Sequence, residues 1–377
     1  MQYIVVGSGA AGISAVKELL KLKEKTDDII VITDDKFPYY YRPRLVEILS
    51  GETSLEDIIV HDRDWFLEKG IELRVEEKLV DFDPEEKMIT TSKNIFPYDK
   101  LLFASGARPF VPPIDGATKD GIFTLRYAED ALKIFQEAEG QSHAAVLGGG
   151  LLGLEAAYNL NRLNLEVSVV EVKDWLLPLQ LDETGGRVLE NRLEEKNLSL
   201  YTGQTAVKFA GDDGVKEVIL ESGTCIPAGL VLVAAGVRSN TGIYSRVSGE
   251  DCNRGIEVNK FMETGLEDVF AAGDVASFRG RFYGLWKPAV EQGRIAAGCM
   301  AGKGRGFEHS PPAHQLKVAG ENVISLGNKD VKLEAEVEKA SDRYRKIFRD
   351  TSGGVCGLIS VGEFEDNRDL IQEIRGG

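Results

Sequence analysis

Residues 1–12 read MQYIVVGSGAAG, and residues 144–153 read AAVLGGGLLG. In each, an apolar run stops at a cluster spaced Gly-x-Gly-x-x-Gly: Gly7, Gly9 and Gly12 in the first copy, Gly148, Gly150 and Gly153 in the second. One such cluster is weak evidence, since a packing turn can carry the same letters. Two, each followed by helix-like residues, are much stronger. In the first copy residues 3–6 read as a buried strand, residues 11–23 have helical periodicity, and residues 29–33 read as a second strand ending at Asp34. In the second copy the strand spans 144–147, the helix 153–163 and the next strand 167–170, ending at Glu171. Strand, glycine turn, helix, strand and terminal carboxylate make a β-α-β unit.

That grammar suits a pyrophosphate. The first glycine permits the tight turn from strand to helix. The second lets the backbone approach the phosphates, where a Cβ would clash, and the third lets the helix pack close to the sheet. The helix N-terminus offers free N–H groups and a partial positive charge. A carboxylate ending the second strand accepts hydrogen bonds from ribose hydroxyls, a role that falls to Asp34 and Glu171. Glu171 would repel a 2′-phosphate and favours NADH over NADPH, with the nearby Lys173 acting against it. Two dinucleotide sites suggest one resident and one exchanging cofactor. Nicotinamide gives hydride, and flavin accepts it and releases electrons singly or in pairs.

The chain has 377 residues, so two or three domains are expected. Its formal net charge of −16 argues against a general nucleic-acid binder, which needs clustered Lys and Arg against phosphate. No apolar run reaches membrane-spanning length and the start carries no basic leader, so the expectation is a cytoplasmic protein without a membrane partner. Cys225, Cys252, Cys299 and Cys356 form no C-x-x-C, and His61, His143, His309 and His314 form no ligand pair, so no metal site is expected. His309 and His314 flank Pro311 and Pro312 and read as loop residues.

Pro109, Pro112 and Pro113 mark a break between the two copies, and residues 302–312 mark another. Beyond it, residues 323–326, 343–348 and 355–361 read as strands and 366–375 as a closing helix. The charged stretch 332–349 reads as a solvated hairpin.

The motifs VVGSGAAG, PYYYRPRL, LLFASGARP, VLGGGLLGLEAA, VVE, LVLVAAGVRSNTG, TGLEDVFAAGDVA and YGLWKPAVEQG, in this order, resemble those of the FAD-dependent pyridine nucleotide oxidoreductases. Within that family the chain is most similar to NADH:rubredoxin oxidoreductases and to the flavin domain of NADH-dependent nitrite reductases. The likeness covers essentially the whole chain. It implies an α/β fold of two Rossmann-like dinucleotide-binding domains, one inserted in the other, plus a small α+β C-terminal domain. The boundaries it implies are 1–107 with 239–304 for FAD, 108–238 for NAD, and 305–377 for the third domain.

The resemblance also implies roles. Gly7, Ser8, Gly9, Ala10, Ala11 and Gly12 would hold the FAD pyrophosphate, and Asp34 its adenosine ribose. Arg42 would lie beside the flavin phosphates or ring, and Val80 would meet the adenine through its backbone. Ala104, Ser105 and Gly106 would close over the same half, and Gly273 with Asp274 would meet the ribityl chain. Gly148, Gly150, Leu151, Leu152 and Gly153 would cradle NADH, with Glu155 at the nicotinamide end, Glu171 at the ribose, and Gly236 allowing the nicotinamide to approach. Trp286 and Lys287 would lie near the flavin, although a core aromatic with a snorkelling lysine reads equally well. Lys317 would reach the flavin from the C-terminal domain.

The chain departs from relatives in two places. No cysteine stands between Phe37 and Arg44, so passage of electrons through a protein thiol is not expected. Glu47 stands where many ferredoxin-type reductases carry a lysine beside the flavin. The C-terminal domain is short, which leaves monomer and homodimer both open. The expected reaction takes hydride from NADH to FAD and passes electrons to a small rubredoxin-like carrier. An NADH oxidase, a nitrite-reductase flavin component and a slow redox-sensing flavoprotein are the alternatives. A rubredoxin-like partner is acidic, and Arg42, Arg44, Arg279, Arg281 and Lys287 could meet it, or could merely balance nearby carboxylates.

Overall fold

Strand Gln2–Val6 lies between two parallel neighbours, Asp28–Ile32 and Lys100–Phe103, in a five-stranded sheet completed by Glu72–Arg74 and Val269–Ala271. The strands are apolar on both faces because both are covered: helices pack on the sheet, and an antiparallel sheet of Leu79–Asp83, Met88–Thr91 and Ile95–Pro97 joins the same core, with Phe82 meeting Phe103 at 5.2 Å. Helix Ala10–Leu22 follows the first glycine loop and packs along helix Trp286–Met300. The computed structural model describes residues 1–308, 314–330 and 332–376. His309, Pro311 and Pro312 lie outside the described residues, as does the side chain of His314.

The second glycine loop sits in a sheet of the same design. His143–Leu147 is flanked by parallel strands Glu166–Glu171 and Leu230–Val233, with Leu198–Thr202 and Ile122–Phe123 at the edges. The correspondence reaches single hydrogen bonds. Gly7 N–H donates to the Ile32 carbonyl at 2.7 Å and Gly148 N–H to Val170 at 2.8 Å. Ala104 donates to Val6 at 2.8 Å, and Ala234 to Leu147 at 2.8 Å. Each central strand has its helix-linked neighbour on one side and a later strand on the other. The strand order therefore reverses at the carboxyl end of each glycine-loop strand, where such sheets bind ligands.

The chain leaves the first unit through Ala107–Pro109 and returns through Val237–Ser239, which pair antiparallel. The last part is a five-stranded antiparallel sheet in the order His314–Val318, Glu321–Gly327, Val355–Val361, Tyr344–Arg349, Glu334–Lys339, with helix Asn367–Gly376 against it. Strand His314–Val318 had no sequence signal. The 332–349 stretch is a hairpin as expected, but only its first strand is solvated. The second buries Tyr344 and Phe348 in the core shared with the second nucleotide unit, and Ile347 on its other face in a cluster with Ile371 of the closing helix. Glu321 anchors this sheet there, bridging Arg192 at 2.5 Å and Lys196 at 2.6 Å.

Candidate functional site

Both glycine loops place their first glycine where no other residue fits. Gly7 has φ +109° and Gly148 φ +125°, and a side chain at Gly148 would come within 2.5 Å of the Ala234 carbonyl. A methyl on Gly12 would overlap the Gly7 carbonyl, and one on Gly153 the Gly148 carbonyl. The middle glycines differ: Gly9 faces only the Arg42 guanidinium at 3.5 Å, and Gly150 faces nothing within 4 Å. The space over both middle glycines is open, as a ligand that approaches the backbone needs.

The two helices that follow are built for an anion. Each has a glycine N-cap, no side-chain cap and no acid in its first turn. Two other helices close that end themselves: Asp62 accepts from Trp65 N–H and Asp182 from Gly185 N–H. The glycine-loop helices thus leave their first N–H groups and the positive end of the dipole exposed.

Around the first loop lies a cavity of about 840 Å³, within the range of about 300–1,000 Å³ for small-molecule and cofactor sites. Gly7, Ser8, Gly9, Ala10 and Ala11 line it, with Asp34, Arg42, Ala104, Ser105, Gly106, Gly273, Asp274 and Trp286. Gly12 sits behind the loop as its packing glycine. From the second unit, Arg126, Tyr127 and Leu152 line the same cavity. Leu152 belongs to the second glycine-loop helix and is 40% exposed, so that loop opens beside the first cavity.

The charges point to a diphosphate. Arg42 and Arg126 face one another, and burial together with the repulsion of Arg42 pulls the Arg126 guanidinium below its ordinary value. Arg42 rests over the rings of Tyr40 at 5.6 Å and Tyr127 at 5.7 Å, 3.5 Å from Asp35, and its buried Nε has no hydrogen-bond partner. Two crowded guanidiniums, an orphaned buried donor and an uncapped helix end fit a bound dianion. Arg126 also reaches Asp274 at 3.5 Å, and the Tyr127 hydroxyl donates to Asp34 at 3.4 Å. Asp34 itself is exposed, as a ribose acceptor at a cavity end must be before a ligand covers it.

Several expected residues lie elsewhere. Val80 is 47% exposed and its carbonyl accepts from Arg246; Glu77, Lys78 and Leu79 line the cavity in its place. Lys287 is exposed and outside the lining, while Trp286 beside it is 39% exposed and meets Tyr41 edge-on at 5.5 Å, so it is no core residue. Lys317 stands exposed on its strand, outside the lining. Glu47 turns to Arg44 at 2.8 Å and Thr53 at 3.3 Å, and only its neighbours Leu45 and Val46 line the cavity.

At the second loop, Glu171 is buried and both its oxygens are engaged, accepting from Gly149 N–H at 2.7 Å and Lys173 N–H at 2.8 Å. The carboxylate is thereby fixed at the strand end with lone pairs to spare. Glu155 accepts from the Ala319 amide at 3.0 Å; burial raises its carboxyl, the amide opposes this and Glu47 adds to it. Gly236 has φ +102° with open space above it, and its carbonyl accepts from Phe110 N–H. Leu151 opens the second loop's helix beside Leu152.

Sequence reasoning missed Asp35, Arg126, Tyr127 and Asn240, which all line the first cavity. Asp35 had a signal in the doubled carboxylate at the strand end. Asn240 closes on Ser105 and Gly106 through hydrogen bonds of 2.9 Å.

Fold and site define a protein with two dinucleotide cradles set side by side. The chain belongs to the pyridine nucleotide-disulphide oxidoreductase family, whose model matches residues 1–293. It is 35% identical to a nitrite reductase [NAD(P)H] of Bacillus subtilis over 99% of this chain and 47% of that protein. It is 33% identical to an NADH-rubredoxin oxidoreductase of Clostridium acetobutylicum over 95% of this chain and 92% of that one. The crystal structure of NADH:rubredoxin oxidoreductase from the same organism superposes with a TM-score of 0.82 and 30% identity, over 100% of this chain and 95% of that one. The chain spans about half the length of the first two curated relatives it matches. Despite the family's name, no cysteine lines the cavity, and the four cysteines are unpaired. No helix among the described residues is long and apolar enough to cross a membrane.

Proposed function

We propose that the chain binds FAD in the cavity around Gly7–Ala11 and NADH at the second glycine loop, and passes electrons from NADH to a small rubredoxin-like carrier. The observation that carries this is the shared cavity wall: Arg126, Tyr127 and Leu152 of the 108–238 unit line the same space as the first glycine loop. The boundaries 1–107 with 239–304, 108–238 and 305–377 accompany this reading, and the ladder of Ala107–Pro109 with Val237–Ser239 supports them. Four unpaired cysteines suit a reducing compartment and support the cytoplasm.

The protein's part is to bind, orient and exclude water. The N–H groups after Gly9, with Arg42 and Arg126, would hold the FAD diphosphate; Asp34 would take a ribose hydroxyl and Asp274 a ribityl hydroxyl. Gly150 and the helix behind it would hold the NADH diphosphate, and the fixed carboxylate of Glu171 favours NADH over NADPH. Bound FAD supplies the hydride acceptor and the choice of one- or two-electron release. No general base is required of the chain, since orientation provides most of the effect.

The mouth of the cavity suits an acidic partner. Between Asp274 and Glu291 the sequence carries Arg279, Arg281 and Lys287 and no acid. Phe282 and Trp286, each 39% exposed, stand among them. Arg42 and Arg44 pair with Asp35 and Glu47; Arg279, Arg281 and Lys287 are exposed, and their segment is the docking surface of this reading. Rubredoxin reduction should slow as salt rises. A rate insensitive to ionic strength would remove this surface from the account.

The alignment over 99% of this chain but 47% of the nitrite reductase supports a second reading, in which the same module feeds a nitrite-reducing partner. The test of the main reading is an acceptor screen with the yellow protein and NADH, scored as initial rates with oxygen uptake in parallel. Rapid flavin bleaching by NADH and fast reoxidation by rubredoxin are expected. A colourless protein that takes up no FAD refutes the assignment. Oxygen uptake matching NADH loss would make it an oxidase, and slow bleaching would leave a redox sensor.

A further inference from the structure

Tyr40 lines the first cavity, but the bonds of its hydroxyl are not explained by the nucleotide sites alone. It is 4% exposed, and its hydroxyl does two things. It donates to Asp35 at 2.7 Å and accepts from the Ala128 amide at 3.1 Å. Asp35 is itself 5% exposed, accepts from Phe37 N–H and lies 3.5 Å from Arg42. Ala128 is the first residue of helix Ala128–Ala138, beyond the point where the chain has left the first unit. Arg126 and Tyr127, just before it, are among the residues that the second unit inserts into the cavity. Asp130 pins their loop by accepting from the Arg126 and Tyr127 amides at 2.9 and 2.8 Å.

A continuous path therefore runs from Arg42 through Asp35 and the Tyr40 hydroxyl to a helix N-terminus in the second unit. The two hydrogen bonds reinforce one another: a hydroxyl that donates to a carboxylate becomes a better acceptor. The Ala128 amide is one of the helix's unsatisfied first-turn donors, and Tyr40 is the partner supplied from outside. Apolar contact in the same cluster, among Leu45, Val46, Leu125 and Ala131, holds the units together but does not fix their angle. A directional hydrogen bond does.

We propose that Tyr40 is a positioning residue: its hydroxyl registers the second nucleotide unit against the first cavity, and so sets hydride-transfer geometry without setting affinity for either nucleotide. This rests on the reading that the two cradles hold FAD and NADH. A displacement on the order of 1 Å at a reacting centre costs up to about 100-fold in rate.

The test uses the FAD-loaded full chain and two variants that cut the same bond from opposite ends. Tyr40→Phe removes the hydroxyl. Ala128→Pro removes the amide at the first helical position, where proline is tolerated, and Tyr127 before it already has an extended backbone, φ −109° and ψ 161°. For each, the limiting rate of flavin bleaching, the NADH concentration at half-saturation, the FAD dissociation constant and amide exchange along 129–133 are measured. The expected result is a limiting rate lower by about 10-fold or more, with both affinities within about threefold of wild type. Exchange at the helix start should speed up, and that readout needs no turnover. Wild-type rate and exchange in either variant would overturn the proposal, and so would an effect confined to affinity or a loss of FAD. A wild-type protein that NADH cannot bleach would instead sink the functional reading, while accelerated exchange in the variants would still report the registering bond.

Discussion

The second glycine loop makes three different demands on three glycines, and alanine at each should separate them. Gly150 sits at φ −83° and ψ −178°, a backbone any residue adopts, and an added methyl meets nothing within 4 Å. Gly150→Ala should therefore fold normally, its gain of about 0.4–1 kcal/mol from the stiffer unfolded chain roughly offset by alanine's poorer fit at the N-cap. The same methyl would stand in the space the NADH diphosphate must enter. Losing one charge-assisted backbone contact there costs about 1.5–3 kcal/mol, or roughly 10- to 150-fold in affinity. Gly148→Ala has φ +125° against it, worth about 1–3 kcal/mol of strain, plus the approach to the Ala234 carbonyl. Gly153→Ala would overlap the Gly148 carbonyl and must push the helix off the sheet. Thermal unfolding of the three variants, with NADH titrations followed by flavin bleaching, reads both effects at once. The expected pattern is a stable Gly150→Ala that keeps FAD and binds NADH poorly, beside two destabilised proteins. NADH affinity within twofold of wild type in Gly150→Ala would refute the placement of the diphosphate. Full stability in Gly153→Ala would refute the packing argument.

Other outcomes follow from single contacts. Burial pushes the Glu321 carboxyl up, but hydrogen bonds from Lys196 and Arg192 outweigh it and hold it below its ordinary 4.5. Its contribution is therefore present above pH 4.5 and lost as pH falls through the lower folded value. Glu321→Gln should cost about 1–3 kcal/mol near pH 7, with the gap to wild type closing in acid, as thermal unfolding across pH would show. Burial, with Lys17 adding to it, pushes His61 down from 6.5 to about 4. The unfolded chain thus takes up that proton first, and stability falls as pH drops from 6.5 towards 4; His61→Phe should flatten that part of the melting-temperature profile. Val80→Ala should leave FAD affinity within about twofold, since its side chain points to solvent. A large loss, read by fluorescence titration of the apoprotein, would show that the Val80 side chain itself is needed at the site.

Legibility tracked how local the determining physics was. The two glycine loops were readable because strand, turn and helix lie within a dozen residues and each glycine answers a separate steric demand. Ala104 and Ser105 were placed only through family likeness, and the structure explains them: a strand neighbour must present its carbonyl where Gly7 has no side chain. Val80 was placed only through family likeness, as a backbone contact; its carbonyl accepts from Arg246, a distant partner that no local pattern gives. Trp286 and Lys287 were read as a pair, but successive helical residues point about 100° apart, so one reaches the cavity and the other solvent.

Arg126 and Tyr127 carry the deeper lesson. Nothing near TLRYAED marks a binding site; locally it is the approach to a helix, closed by Asp130. These residues enter the cavity only because the whole second unit is docked, and docking is decided by contacts between distant segments such as Tyr40 with Ala128. A repeated motif announces that two nucleotides can be held. Whether they are held within reach of one another depends on the angle between units, and that angle is written in residues that look unremarkable in their own neighbourhoods. The buried, partnerless Nε of Arg42 is the local trace of that arrangement, since it leaves a donor waiting at the seam where the two cradles meet.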